Sequence, residues 1–153
     1  MEKIIEAAEA YVTEYLNSHL DPKFVYHNLA HTQRVVSKLK ELIEESDLTQ
    51  AEEQQLLIAA WFHDTGFTKT IEGHEIESAK IASSFLKDHG LETTNIEAVE
   101  KIILATDMEY EPQNKLEGLI RDADSAHVSS KRYEDYASLL RKEWELTQNN
   151  KLS

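Results

Sequence analysis

The chain has 153 residues, 41% of them apolar, a formal net charge of −13 and no cysteine. That length suits one domain with a real core. The missing cysteine excludes disulfides and a thiolate zinc site and fits a reducing compartment, while the excess acid disfavours nucleic-acid backbones and reads as solvated surface.

Only 4 Gly and 2 Pro interrupt the sequence, which argues for long helices and against an all-β fold. Residues 2–19 place Ile4, Ile5, Ala8, Tyr11, Val12, Tyr15 and Leu16 at three-and-four spacing, a helix signature. This start is amphipathic and acidic, unlike a secretory signal. No apolar run reaches the roughly 18 residues of a membrane span, so a cytoplasmic chain with no membrane segment is expected. DPKFVYHN breaks the pattern, and Asn28 is a candidate N-cap for a second helix carrying His31, Val35, Leu39, Leu42 and Ile43 to about Glu45. Thr49 and Glu52 have the spacing of a capping box opening a third helix through LLIAAWFH, whose all-apolar centre marks it as buried. TGFTKTIEG reads as a loop, followed by a helix from near His74 to Asp88 with Gly90 as its C′ residue. Thr94 and Glu97 suggest a second capping box. EPQN is a turn, with Pro112 near the start of a helix reaching Asp124. The last predicted helix runs from about Lys131 to Leu146 and buries Tyr133, Tyr136, Leu139, Leu140 and Trp144. The polar QNNKLS that follows is either a frayed end or a point where further sequence once continued. The expected fold is one all-α domain over residues 1–153, a bundle of six or seven helices.

The chemistry concentrates at His63-Asp64, which closes the apolar third helix. An acid at a helix C-terminus opposes the helix dipole and calls for a compensating cation. Imidazole suits borderline divalent metals and carboxylate harder ones, so the pair can ligate several ions. His27 and His31, four residues apart, would share a face if both were helical, and on spacing alone they could equally be surface residues.

The ordered set His31 in YHNLAHT, His63-Asp64 in WFHDTG and Asp124 in RDADSAH resembles the HD phosphohydrolase superfamily. The resemblance spans about His27 to His127 and implies an HD-domain helical bundle. It further implies that His31, His63, Asp64 and Asp124 hold one divalent metal ion, such as Mn, Mg, Co, Ni, Fe or Zn. YHNLAHT also resembles the Tyr-His-Asn-x-x-His segment of class I cyclic nucleotide phosphodiesterases, which implies His31 as a ligand and His27 as a general acid. In RDADSAH the resemblance favours Asp124 as the ligand, with Asp122 as the alternative. GHEIESAKIA resembles a helix start in many HD phosphohydrolases, which implies that His74 faces the substrate phosphate or leaving group. A helix N-terminus also suits an anion there. LATDMEY resembles a phosphodiesterase stretch and makes Asp107 a candidate for the site wall or, equally, an exposed helix-end acid.

One departure limits the resemblance. The further histidine that binuclear members carry on the helix after the one His74 opens is missing, which favours a single metal and argues against a di-iron oxygenase. His19, His89 and His127 have no motif support. The resemblance implies that the metal lowers the pKa of bound water and polarises a phosphoryl oxygen. Asp64 or Asp124 would orient the attacking oxygen, and His74 or His27 would protonate the departing one. Arg34 and Lys69 could balance phosphate charge, or could be ordinary surface cations. The expected activity is a metal-dependent phosphohydrolase acting on a small-molecule phosphate ester, a nucleotide above others. The alternative is a nucleotide-binding or regulatory module that keeps the metal site with little turnover.

Overall fold

The computed structural model describes residues 2–126 and 132–152. Within them lie seven α-helices and one 3-10 turn, with no strand. The helices are α1 (Glu2–His19), α2 (Leu29–Glu44), α3 (Gln50–Phe62), α4 (His74–Asp88), α5 (Thr93–Leu104), α6 (Lys115–Asp124) and α7 (Tyr133–Leu152). The segment expected as plain loop after Asp64 opens with the 3-10 turn Thr65–Thr68. His127 and Lys131 lie outside the described residues.

The bundle is built around α3. Leu56 and Ile58 through Phe62 are all buried, and a helix that is apolar on every side must be surrounded. Accordingly α1, α2, α4, α5 and α6 all pack against it. Complete burial of side chains such as Leu56, Ile58 and Phe62 contributes about 1.5–3 kcal/mol each. The predicted capping box fixes where α3 starts: Glu52 N–H donates to Thr49 Oγ1 at 3.1 Å, and Thr49 N–H to Glu52 Oε1 at 2.9 Å. Asn28 caps α2 as expected, its Oδ1 accepting from His31 N–H at 3.2 Å. Gly90, at φ +76°, takes the left-handed position after α4.

Two local expectations differ from the structure. The Thr94–Glu97 capping box does not form: α5 begins at Thr93 after an extended Glu92, with no side-chain cap bond, so Thr94 already lies inside the helix. On α7, Tyr133 is 45% and Trp144 65% exposed, whereas Glu143 is 6% exposed. The α7 register turns Glu143 inward because its carboxylate finds donors: the backbone N–H groups of Tyr26 and His27, at 2.9 and 2.7 Å. A buried acid is tolerated when it is hydrogen-bonded in this way. Tyr136, Leu139 and Leu140 are half-buried. No described helix is long and apolar enough to cross a membrane.

Candidate metal centre

Three helices deliver four side chains to one point. His31 comes from the first turn of α2, His63 and Asp64 follow the last residue of α3, and Asp124 is the last residue of α6. His31 Nε2 lies 3.1 Å from Asp124 Oδ1 and 3.3 Å from Asp64 Oδ2. His63 Nε2 lies 3.2 Å from Asp64 Oδ2 and 3.3 Å from Asp124 Oδ1. Ligand atoms of His31, His63 and Asp124 all fall within 4.8 Å of one another. His31, His63 and Asp64 are buried, and Asp124 is half-buried.

The donor set fits a divalent cation. His63 Nδ1–H donates to Ala60 O at 2.6 Å, which leaves Nε2 as the ring atom that faces the cluster. That Nε2 and Asp64 Oδ2 are both buried without a hydrogen-bond partner. Such atoms cost about 1–3 kcal/mol each if left unsatisfied, and an ion between them would satisfy both. Ligand bonds of about 2.0–2.2 Å to a zinc-sized ion are compatible with donor atoms spaced as these are. Both carboxylates also stand at or just past helix C-termini, where the backbone dipole favours a cation.

The protonation pattern has the same sign. Burial opposes charge on His63, yet the fields of Asp64 and then Asp124 hold its pKa well above the ordinary value. Burial pushes Asp64 up, but the His63 imidazole, followed by bonds and fields from neighbouring histidines, holds it well below the carboxylate range. Asp124 is held low despite burial, chiefly by His63 and His31. A pocket that draws a proton this strongly draws a divalent ion for the same reason.

Further contacts fix the turn that carries His63 and Asp64. Thr65 Oγ1–H donates to Phe62 O at 2.7 Å, and Ser78 Oγ–H donates to His63 O at 2.8 Å. Ser78 Oγ in turn accepts Gly66 N–H at 2.8 Å. Together with His63 Nδ1–H on Ala60 O, these bonds satisfy carbonyls that the end of α3 would otherwise leave orphaned. Gly66 is required here for room: a Cβ would come within 1.9 Å of His74 O. α4 therefore presses directly on the turn. His74 and Ser78 are four residues apart on its first turns and so share the face that meets the turn.

His74 Nε2 lies 3.6 Å from Asp64 Oδ1, and its Nδ1 is 3.2 Å from Ile71 O. Phe67 stacks between His74 and His27, with ring centroids 3.9 and 4.6 Å away. His27 Nδ1 pairs with Glu143 Oε2 at 2.5 Å. Burial works against a charged His27, but the Glu143 bond and the fields of Asp64, Glu143 and Asp124 outweigh it and raise its pKa. Burial raises Glu143, while the His27 bond and field and the two backbone N–H donors hold it below its ordinary value.

The structure thus gathers His27, His31, His63, Asp64, His74 and Asp124 in one region. Asp122 is exposed. Lys69 is exposed where it closes the 3-10 turn. Asp107 Oδ1 accepts Glu109 N–H at 3.0 Å, and its backbone carbonyl accepts from Arg121 at 3.2 Å, so its carboxylate shapes a turn after α5. Arg34 is half-buried, with Cζ 4.5 Å from the Tyr136 ring centroid. His89 Nδ1–H donates to Phe85 O at the far end of α4.

Glu143, Phe67 and the bridging role of Ser78 escaped the sequence reading. Glu143 meets His27 across 116 positions from a helix whose neighbours are charged, and no local spacing announces that. Phe67 sits in a segment read as loop, although an aromatic residue directly after Gly66 was a signal for a packed turn.

A family model described as HD domain matches residues 28–129, two thirds of the chain. Comparison with curated proteins and with solved structures returned no match. The matched span contains every cluster residue from His31 to Asp124, placed at helix ends on an all-α frame, and on that match the chain belongs to the HD domain family.

Proposed function

We propose that this chain is a metal-dependent phosphohydrolase that cleaves a small phosphate ester, with a nucleotide as the substrate class. His31, His63, Asp64 and Asp124 would hold the ion. The observation that carries the proposal is the convergence of His63 Nε2 and Asp64 Oδ2, both buried and without a hydrogen bond, on His31 and Asp124. A bound divalent ion would lower the pKa of a water and polarise a phosphoryl oxygen.

The chain's own groups supply the proton chemistry. Asp64 uses Oδ2 toward the cluster, and its Oδ1, 3.6 Å from His74 Nε2, can accept a proton from the attacking water. In hydrolysis the water oxygen bonds to phosphorus as the bond to the leaving oxygen breaks, and that oxygen needs a proton. His27 is suited to give it: Glu143 holds Nδ1 and favours the imidazolium, so Nε2–H is the donor left over. His74, across the Phe67 ring, is the second candidate. Phe67 keeps the two imidazoles apart, so each is fixed by its own acid partner.

The test is hydrolysis of a panel of nucleotides and small phosphate esters in the presence of added Mn2+, with Asp64→Ala as the blank. Release of phosphate or of the freed alcohol by the wild type alone supports the reading. Stoichiometric metal with no turnover on the whole panel would instead assign a metal-holding regulatory module.

A further inference from the structure

Arg34 stands out in the electrostatics of this molecule. The chain has 29 acidic and 16 basic side chains, yet this half-buried cation makes no ion pair or hydrogen bond among the described residues. It is held instead by aromatic faces, with Cζ 4.5 Å from the Tyr136 centroid and 5.9 Å from that of Tyr26. Stacking occupies the flat faces of a guanidinium and leaves the in-plane N–H donors available. Cation–π contact therefore orients the fork without consuming it.

Its position relates it to the metal centre. Arg34 follows His31 by three residues on α2, so the two lie on neighbouring positions of one helix face, about 4.5 Å apart along the axis at ~1.5 Å per residue. Tyr26 links them, its ring 4.7 Å from the His31 ring and also under the guanidinium. A planar fork with free donors matches phosphate bidentately. A second phosphoryl group at Arg34 would lie on the same face of α2 as one held at the cluster. Lys69 is exposed and makes no cation–π contact among the described residues.

We infer that Arg34 is the receptor for a second phosphate of the substrate, so that the site selects diphosphate-bearing compounds over simple monophosphates. The inference rests on the phosphoester reading of the metal centre. It is tested with manganese-loaded protein, titrated calorimetrically with inorganic phosphate and with inorganic pyrophosphate at fixed free Mn2+ and ionic strength. The wild type is expected to bind pyrophosphate at least about tenfold more tightly than phosphate, as a charge-assisted pair requires. Arg34→Gln should lose that preference while its affinity for phosphate stays within about twofold. Arg34→Met, which keeps an apolar stem against the tyrosines, should behave as Arg34→Gln does, and serves if the glutamine variant is poorly folded. Arg34→Lys keeps the charge without the fork and should fall between. A wild type that binds both anions equally, or glutamine and methionine variants that keep the preference, overturns the inference: Arg34 would then only tie α2 to α7. Failure of the wild type to bind either anion would count against the phosphoester reading itself and remove this inference with it.

Discussion

Glu143 shows what a single residue contributes here. It accepts from two backbone N–H groups and from His27, so it both anchors α7 and sets the state of a candidate acid. Removing its charge should cost about 1–3 kcal/mol, and the sign of the pH dependence follows from the pair. His27 is raised on folding, so its share of stability is complete below the ordinary value of 6.5 and fades as pH rises through the folded value. Glu143 is lowered, so its share is complete above 4.5 and fades as pH falls through the folded value. The difference in Tm between wild type and Glu143→Gln, measured on metal-free protein, should therefore be largest between pH 4.5 and 6.5. A difference that keeps growing above neutral pH would contradict this assignment. None of this was legible in RKEWEL, because burial of an acid depends on donors brought from far along the chain. The residues that meet at the candidate metal centre were legible as an ordered set, His31, His63-Asp64 and Asp124, each at or near a predicted helix end, whereas an adjacent His-Asp pair alone is common.

At the scale of elements, the junction of α3 with α4 matters most. Ser78 bridges His63 O and Gly66 N–H, and its helix partner His74 faces Asp64. The same contact thus registers the ligand turn and the candidate acid. Ser78→Ala should weaken Mn2+ binding by about 10–100-fold, the usual cost of losing a group that orients a ligand. Ala79→Gly, a neighbouring buried change on α4, should lower Tm while leaving metal affinity within about twofold. If both variants lose stability alike and neither loses affinity, Ser78 is a packing residue only. Helix starts were readable where a cap is chemically encoded, as at Asn28 and Thr49. They were less so at α5, where Thr94 and Glu97 had the right spacing but the chain entered the helix earlier. The face of α7 was misjudged for a related reason: its aromatic residues suggested a core side, while the bond to His27 rotated Glu143 inward. Apolar periodicity locates a helix, but a paired buried charge can outweigh it in choosing the face.

For the whole molecule, folding and ion binding should be linked, since three helices meet at the cluster and an ion that binds only the folded state stabilises it. Metal should raise Tm and chelator should lower it. Affinity should also fall as pH drops, because His63 must surrender a proton to ligate and the two aspartates hold that proton strongly. Calorimetry in buffers of different ionisation enthalpy would read the proton released, and pH-independent affinity between pH 6 and 8 would contradict the pattern of charges. The central claim, that His31, His63, Asp64 and Asp124 form one metal centre, is tested most directly by elemental analysis. The protein would be purified without chelator or affinity-tag metal, re-equilibrated with Mn2+ and desalted, beside Asp64→Ala and His63→Ala. About one divalent ion per chain in the wild type and none in either variant is the expected result. Equal metal in the wild type and both variants, or none in any of them after Mn2+ loading, would contradict it.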